Sequence, residues 1–234
     1  MSGIQSLSAI ASRPTSVIIA DQIRERIIDG SFQSGEQINE AQVATQLNVS
    51  RGPVREALNR LVQEGLLVSR PNRGNFVRET TEHDIAEVYE AREVIECAAA
   101  ESIIRQGAET LRRTGQELRE FIPLMQEAIA AEDWTRLSRV DIEFHTHLVR
   151  AGGNTRLDRA YATLATEALI CMTHLEQAYP DIDKVVPGHT RIIELLEAGD
   201  MEAVHLELHS HLTLDRHEHH THEPDEVLRH GRND

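Results

Sequence analysis

The stretch SRGPVREALNRLVQEGLL, residues 50–67, constrains this chain more than any other. Val54, Ala57, Leu58, Leu61 and Val62 recur at helical spacing and form one apolar stripe. Ser50 stands where a helix N-cap belongs, its hydroxyl placed to accept from an orphan backbone N–H. Pro53 falls in the first turn, where its missing N–H does little harm. Gly65 closes the helix at a position that favours positive φ. On another side Arg51, Arg55 and Asn59 follow at four-residue steps and share a face. Guanidinium groups near the N-terminal end of a short helix suit a DNA major groove, where Arg pairs with guanine O6 and N7. A solvated amphipathic surface helix has the same pattern, so the flanking sequence must decide.

Upstream, Thr15–Asp29 reads as a helix with Ala20, Ile23 and Ile27 on one side and Gly30 as its stop. FQSGEQI is a turn around Gly35. Asn39 caps a second short helix with Val43, Ala44 and Leu47 inward, and Asn48–Val49 joins it tightly to the Ser50 helix. Downstream, Leu66–Ser69 and Asn75–Arg78 are short strands joined by Arg70-Pro71-Asn72-Arg73-Gly74. Three helices, the latter two tightly joined, followed by a basic hairpin make a winged helix-turn-helix.

A net charge of −15 over 234 residues looks wrong for a nucleic-acid binder, but the charge is unevenly placed. Residues 1–78 hold nine Arg against seven Asp or Glu, a balance of +2. The remainder holds fifteen Lys or Arg against thirty-two acidic residues, a balance of −17. The first part is therefore free to lie against phosphate. Cys97 and Cys171 lack CxxC spacing and offer no disulfide framework, which fits a reducing compartment. No secretory signal and no bilayer-spanning apolar run are visible, so the expectation is a cytoplasmic protein without a membrane partner.

The order GSFQSGEQINEAQVATQLNVSRGPVREALNRLVQEGLLVSRPNRGNFV resembles the N-terminal domain of GntR-family transcription regulators. The resemblance implies DNA contacts at Arg51, Gly52 and Arg55 in the helix and at Arg73 and Gly74 in the wing, and Ser50 at the helix start joins them as a DNA-binding candidate. Some members carry a further DNA-contacting Arg early in the second helix. Here Ala41 stands at that position, so an operator preference does not carry over.

From Thr81 to about Asp215 the pattern is helical without strand alternation. Thr81-Glu82-His83-Asp84 resembles a capping box with Asp in place of Glu. The expected helices are Glu82–Gln106, Glu109–Ala130, Asp133–Ala151, Asn154–Ala178, Val186–Ala198 and Asp200–Arg216, six in an all-helical bundle. The fold class is thus mainly α. The expected domains are residues 1–78 as a winged helix-turn-helix, 79–216 as an effector-binding and dimerisation bundle, and 217–234 as a polar, His-rich, disordered tail. The tail's His217, His219, His220 and His222 offer weak metal binding at best.

The bundle's chemistry lies where its helices break their own pattern. Leu137, Asp141, Phe144 and Leu148 form one inward stripe, with His145 beside it; Asp141 and His145 project from the same face. His189 joins Ile192, Ile193 and Leu196, and His211 joins Val204, Leu208 and Leu212. One Asp and three His thus stand where leucines belong. Burying them unpaired costs on the order of several kcal/mol each. A shared divalent cation offsets that, and imidazole nitrogen with carboxylate oxygen suits zinc first, with nickel, manganese or iron(II) as alternatives. His147, His205 and His209 border the stripes and read as surface residues. FHTHLVRAGGN, HTRIIELLEAGD and HSHL, in that order, resemble the FCD subgroup of GntR regulators, whose effector domain is a helical bundle. In many members an Asp, a His four later and two further His hold a metal. The match places those roles on Asp141, His145, His189 and His211.

Arg92 falls among Ile85, Val88, Ile95 and Ala99 on the first bundle helix and needs an anionic partner. Glu96, one turn on, is one candidate; the carboxylate of a small organic acid effector, clamped bidentately, is the other. The combined reading is a homodimeric regulator, a repressor by family analogy and not an enzyme, that binds a double-stranded DNA operator under effector control. Two rivals remain open at this point. One is a metal-dependent hydrolase or lyase with a DNA-binding appendage, for which no general base is evident. The other is a direct metal sensor.

Overall fold

The computed structural model describes residues 13–174 and 182–213. The chain begins with α1 (Thr15–Ile28), β1 (Gln37–Ile38), α2 (Glu40–Gln46), α3 (Arg51–Gln63), β2 (Leu67–Arg70) and β3 (Gly74–Val77). Ile23 and Ile27 of α1 pack with Val54, Ala57, Leu58 and Leu61 of α3 in one core. That is the apolar stripe expected of residues 50–67. Asn39 accepts from the Ala41 and Gln42 amides and starts α2. Asn48, with φ +52°, turns the chain sharply into α3, a conformation that Asn tolerates better than most residues. Gly65, at φ +77°, ends α3 with Leu66 N–H bonded to Leu61 O and Gly65 N–H to Val62 O, the double bond of a Schellman stop.

β2 and β3 pair antiparallel as the wing, each shifted by one residue from the expected strands. β1 is a third strand where only a turn was expected. It pairs antiparallel with β3, Gln37 opposite Phe76, so the sheet order is β1-β3-β2. Two residues are too short to show a period of two, which hid the strand from sequence reading.

The bundle follows as α4 (Glu82–Gln106), α5 (Ala108–Arg119), α6 (Phe121–Ala130), α7 (Trp134–Ala151), α8 (Thr155–His174), α9 (Ile182–Ala198) and α10 (Met201–Leu212). Thr81 and Asp84 close the capping box in both directions, Thr81 N–H to Asp84 Oδ2 at 2.9 Å and Asp84 N–H to Thr81 Oγ1 at 3.1 Å. The expected helix 109–130 is two helices, α5 and α6, broken at Glu120. Pro123 is the cause: it has no N–H for the Arg119 carbonyl, and its ring would strike that carbonyl in a continuous helix. α9 starts four residues before the expected Val186 and carries Pro187 inside it. The expected ends of the Asn154 and Asp200 helices, and the four tail histidines, lie outside the described residues.

α4 runs through the middle, packed on α5, α7, α8 and α10. One apolar core continues from α1 and α3 into Tyr161, Ala165 and Leu169 of α8. The two parts also meet through an Arg139–Glu25 ion pair of 2.7 Å, from α7 to α1. A cavity of about 160 Å³ lies in this junction, between Leu66 and Val77 on one side and Leu164 and Cys171 on the other.

Candidate DNA-reading face and candidate metal centre

α3 presents Arg51, Gly52, Arg55 and Asn59 outward while its apolar side is sealed against α1. Ser50 occupies the N-cap with extended backbone, but its hydroxyl makes no capping bond, contrary to expectation. A Cβ at Gly52 would meet nothing within 4 Å, so nothing within the described chain calls for a glycine there. Arg55 is gripped at two points by Glu40, Nε to Oε2 at 3.0 Å and Nη2 to Oε1 at 2.8 Å. The pair joins α3 to the first turn of α2 and sets the guanidinium's direction. Arg73 and Gly74 stand exposed at the wing tip, with Asn72 at φ +59° and Gly74 at φ +92° making the turn. Gln37 of β1 donates to the Arg73 carbonyl at 2.5 Å and ties the tip to the third strand.

In the bundle, the four misplaced polar residues converge. Asp141 and His145 come from α7, His189 from α9 and His211 from α10, and one donor atom of each lies within 4.8 Å of all the others. His145 Nε2 and His211 Nε2 are 3.2 Å apart. His189 Nε2 is 3.1 Å from Asp141 Oδ1, and His145 Nε2 is 3.9 Å from Asp141 Oδ2. Two zinc bonds of ~2.1 Å at the tetrahedral angle place their donor atoms ~3.4 Å apart, and the separations of 3.1, 3.2 and 3.9 Å lie on either side of that value.

The tautomers point the same way. His189 Nδ1 is 2.7 Å from the Val185 carbonyl. A carbonyl only accepts, so Nδ1 carries the proton and a neutral ring keeps Nε2 bare. That Nε2 is buried and, 3.1 Å from Asp141 Oδ1, makes no hydrogen bond. His145 Nδ1 is 2.6 Å from Glu96 Oε2, which likewise leaves Nε2 for the cluster. Backing each imidazole through its far nitrogen is how proteins orient metal ligands. Gly188 makes room for the third ring: a Cβ there would come within 3.1 Å of His211 Nδ1. Phe144 walls the site, edge-on to His189 at 4.7 Å and to His145 at 5.2 Å.

The electrostatics suit a cation. Burial works against ionisation of Asp141, but His189 and His145 in their protonated form, together with the buried Arg92, outweigh it and hold the carboxyl well below its usual range. Burial, with the neighbouring His189 and His145, pushes His211 well below its ordinary value. The ring is therefore neutral and ready to ligate near pH 7.

Arg92, 1% exposed, lies beside this cluster. Its Nε donates to Glu96 Oε1 at 3.1 Å and approaches the Tyr161 hydroxyl at 3.3 Å. The internal partner thus exists, yet Nη2 is buried with no hydrogen-bond partner. Sequence reading missed Tyr161 altogether and saw Glu96 only as a partner for Arg92. A glutamate one turn after Arg92 on the same mostly apolar side of the helix was the available signal for Glu96; for Tyr161 there was none. Of the histidines set aside, His209 is exposed and pairs with Glu93 at 2.9 Å, while His147 pairs with Glu117 at 2.9 Å. His205 is the exception, with a buried Nε2 that has no partner.

A winged helix-turn-helix head joined to an all-helical bundle defines a class of DNA-binding regulator. Family comparison fixes which one. The model described as "Bacterial regulatory proteins, gntR family" matches residues 15–77, and the FCD domain model matches residues 87–214. This chain belongs to the GntR family of transcription regulators. It is similar to the "Probable D-xylose utilization operon transcriptional repressor" of Paenarthrobacter nicotinovorans, 32% identical over 88% of this chain and 91% of the relative. It is also similar to the "Gluconate operon transcriptional repressor" of Bacillus subtilis (strain 168), 28% identical over 86% and 83%. Among solved structures, a GntR regulator from Rhodococcus sp. RHA1 superposes with a TM-score of 0.73 at 31% identity, covering 84% of this chain and 93% of that one. The Escherichia coli protein McbR/YncC shares the fold, with a TM-score of 0.69 at 20% identity over 86% and 94%. These relatives are regulators, not enzymes, and the present chain is a DNA-binding transcription regulator. No helix among the described residues is long and apolar enough to cross a membrane.

Proposed function

We propose that the protein is a homodimeric repressor whose grip on its operator is set by a small carboxylate ligand at a metal site inside the bundle. Residues 1–78 read DNA, and 79–216 sense the ligand and dimerise. Asp141, His145, His189 and His211 hold a divalent cation, zinc by preference. The observation that carries the reading is the convergence of these four donors with the buried His189 Nε2 left without a hydrogen bond. A bound cation supplies a Lewis-acidic anchor for a carboxylate oxygen. Arg92 Nη2, buried and unmatched, supplies the complementary donor, since leaving it so costs about 1–3 kcal/mol.

Arg51 and Arg55 enter the major groove, Ser50 and Gly52 allow the phosphate backbone close to the helix start, and Arg73 and Gly74 follow the flanking groove. The open space at Gly52 supports that close approach. α7 carries two of the cluster's residues and also Arg139, which pairs with Glu25 of α1. Ligand binding at the cluster is thereby placed to bias the head, and so the spacing of two heads on paired half-sites.

Two measurements test this. Elemental analysis of protein prepared without chelators should find a divalent metal that His189→Ala loses; a native protein free of metal would reject the cation. In gel-shift titration of an operator fragment, Arg55→Ala should weaken specific binding roughly 10–100-fold or more while the circular dichroism spectrum is unchanged. Specific binding of wild-type strength would reject α3 as the reading helix.

A further inference from the structure

We propose that Glu96 is a positioning residue shared by two functional groups, setting His145 for the cation and Arg92 for the anion. The proposal rests on the cation reading given above and assigns a role to a residue outside the donor set. Glu96 is 0% exposed in the middle of α4. Its Oε2 takes His145 Nδ1 at 2.6 Å, while its Oε1 takes the Tyr161 hydroxyl at 2.6 Å and Arg92 Nε at 3.1 Å. Three donors from α4, α7 and α8 meet on one carboxylate.

A plain internal ion pair with Arg92 does not account for this geometry. Arg and carboxylate pair best through two parallel N–H bonds. Glu96 instead gives Arg92 a single oxygen through Nε and turns the other oxygen to His145. Arg92 Nη2 is consequently left buried without a partner. The carboxylate thus trades the better ion pair for an arrangement with two outputs. His145 Nδ1–H is pinned, so its bare Nε2 faces Asp141 and His211. The guanidinium is anchored along its Nε edge, so its Nη2 stays free for an incoming acceptor. Tyr161 braces the carboxylate from α8 and donates to it, which keeps Oε1 in place.

Glutamine at this position preserves the shape but offers one acceptor and one donor. Whichever way the amide turns, an N–H or O–H of His145, Arg92 or Tyr161 faces an NH₂ group. Relief by changing the His145 tautomer moves the proton onto Nε2 and removes a metal ligand. Outer partners of this kind change metal affinity about 10–100-fold.

The test uses full-length protein, zinc as the probe, a chromophoric chelator as competitor, and ¹⁵N-imidazole NMR of the metal-free protein. Wild type should show His145 protonated at Nδ1, and Glu96→Gln should show mixed tautomers and bind zinc about 10–100-fold more weakly. In a His145→Ala background, Glu96→Gln should cost no further zinc affinity, because the effect runs through that imidazole. Tyr161→Phe should keep the fold and weaken zinc a few-fold, which keeps the idea exposed should Glu96→Gln not fold. Wild-type His145 carrying its proton on Nε2 would overturn the role, as would equal zinc affinity in wild type and Glu96→Gln. A wild-type cluster that binds no zinc would overturn the cation reading and this role together; tight wild-type binding with an indifferent Glu96→Gln would overturn this role alone.

Discussion

The head and the bundle put charge to opposite use. In the head, Arg51, Arg55 and Arg73 stand exposed on a scaffold whose core is wholly apolar. In the bundle, Arg92, Glu96, Asp141, His145 and His189 are all buried, and they sit within the packing itself. Surface charge on a sealed scaffold is free to change partner without disturbing the fold. Buried charge is not: each group there is set by its neighbours, and removing one strands another. The head is therefore suited to meet an outside polyanion, while the bundle's charges answer to one another.

Substitutions can break this contrast or sharpen it. The largest expected effect is on the bundle wall. Phe144→Ala should destabilise the protein by about 3–5 kcal/mol, read from urea unfolding, and should loosen the His189 and His145 rings it braces. Next is Arg55→Ala, whose cost should fall on DNA alone. A bidentate base contact is worth about 1–3 kcal/mol, so binding anisotropy should show a loss of roughly 10–100-fold or more with the urea midpoint unmoved. If Arg55→Ala destabilised the fold as Phe144→Ala does, the contrast would fail.

A pH series separates the regions further. Burial opposes ionisation of Glu96, but His145 and Arg92 hold its carboxyl at about 2 against an ordinary 4.5. A carboxyl with a lowered folded pKa stabilises fully above its unfolded value and loses that contribution as pH falls. Wild-type stability should therefore drop between about pH 4.5 and pH 2, and Glu96→Gln should show a flatter curve over that window. The smallest effect belongs to the wing. Arg73→Ala should weaken binding to all sequences alike and lower the salt slope by about 1, checked by titration at several salt concentrations.

The same contrast explains what the amino-acid order revealed. The α3 stripe, the caps at Asn39 and Thr81 and the stop at Gly65 are local patterns, readable within one or two turns. The four cluster residues were legible for the opposite reason: each violates its local pattern, and four violations in one bundle call for a common cause. What stayed hidden depends on contacts between distant segments. β1 exists because β3 comes to it. The break before α6 hinges on Pro123, which the apolar period of that segment masked. Gly188 matters only once α10 lays His211 against it. Tyr161 follows an unbroken helical pattern, and only packing reveals that its hydroxyl meets Glu96. Ser50 shows the reverse failure, a capping residue by type and place whose hydroxyl caps nothing.

The central claim is that Asp141, His145, His189 and His211 form one coordination sphere. X-ray absorption of zinc-loaded full-length protein tests it most directly, with His189→Ala as the comparison, since histidines at 217–222 offer zinc a second place to go. The account predicts imidazole nitrogen and carboxylate oxygen at ~2.0–2.2 Å, with about one equivalent of zinc and its imidazole signature lost in His189→Ala. Zinc content and imidazole scattering unchanged by His189→Ala would contradict it.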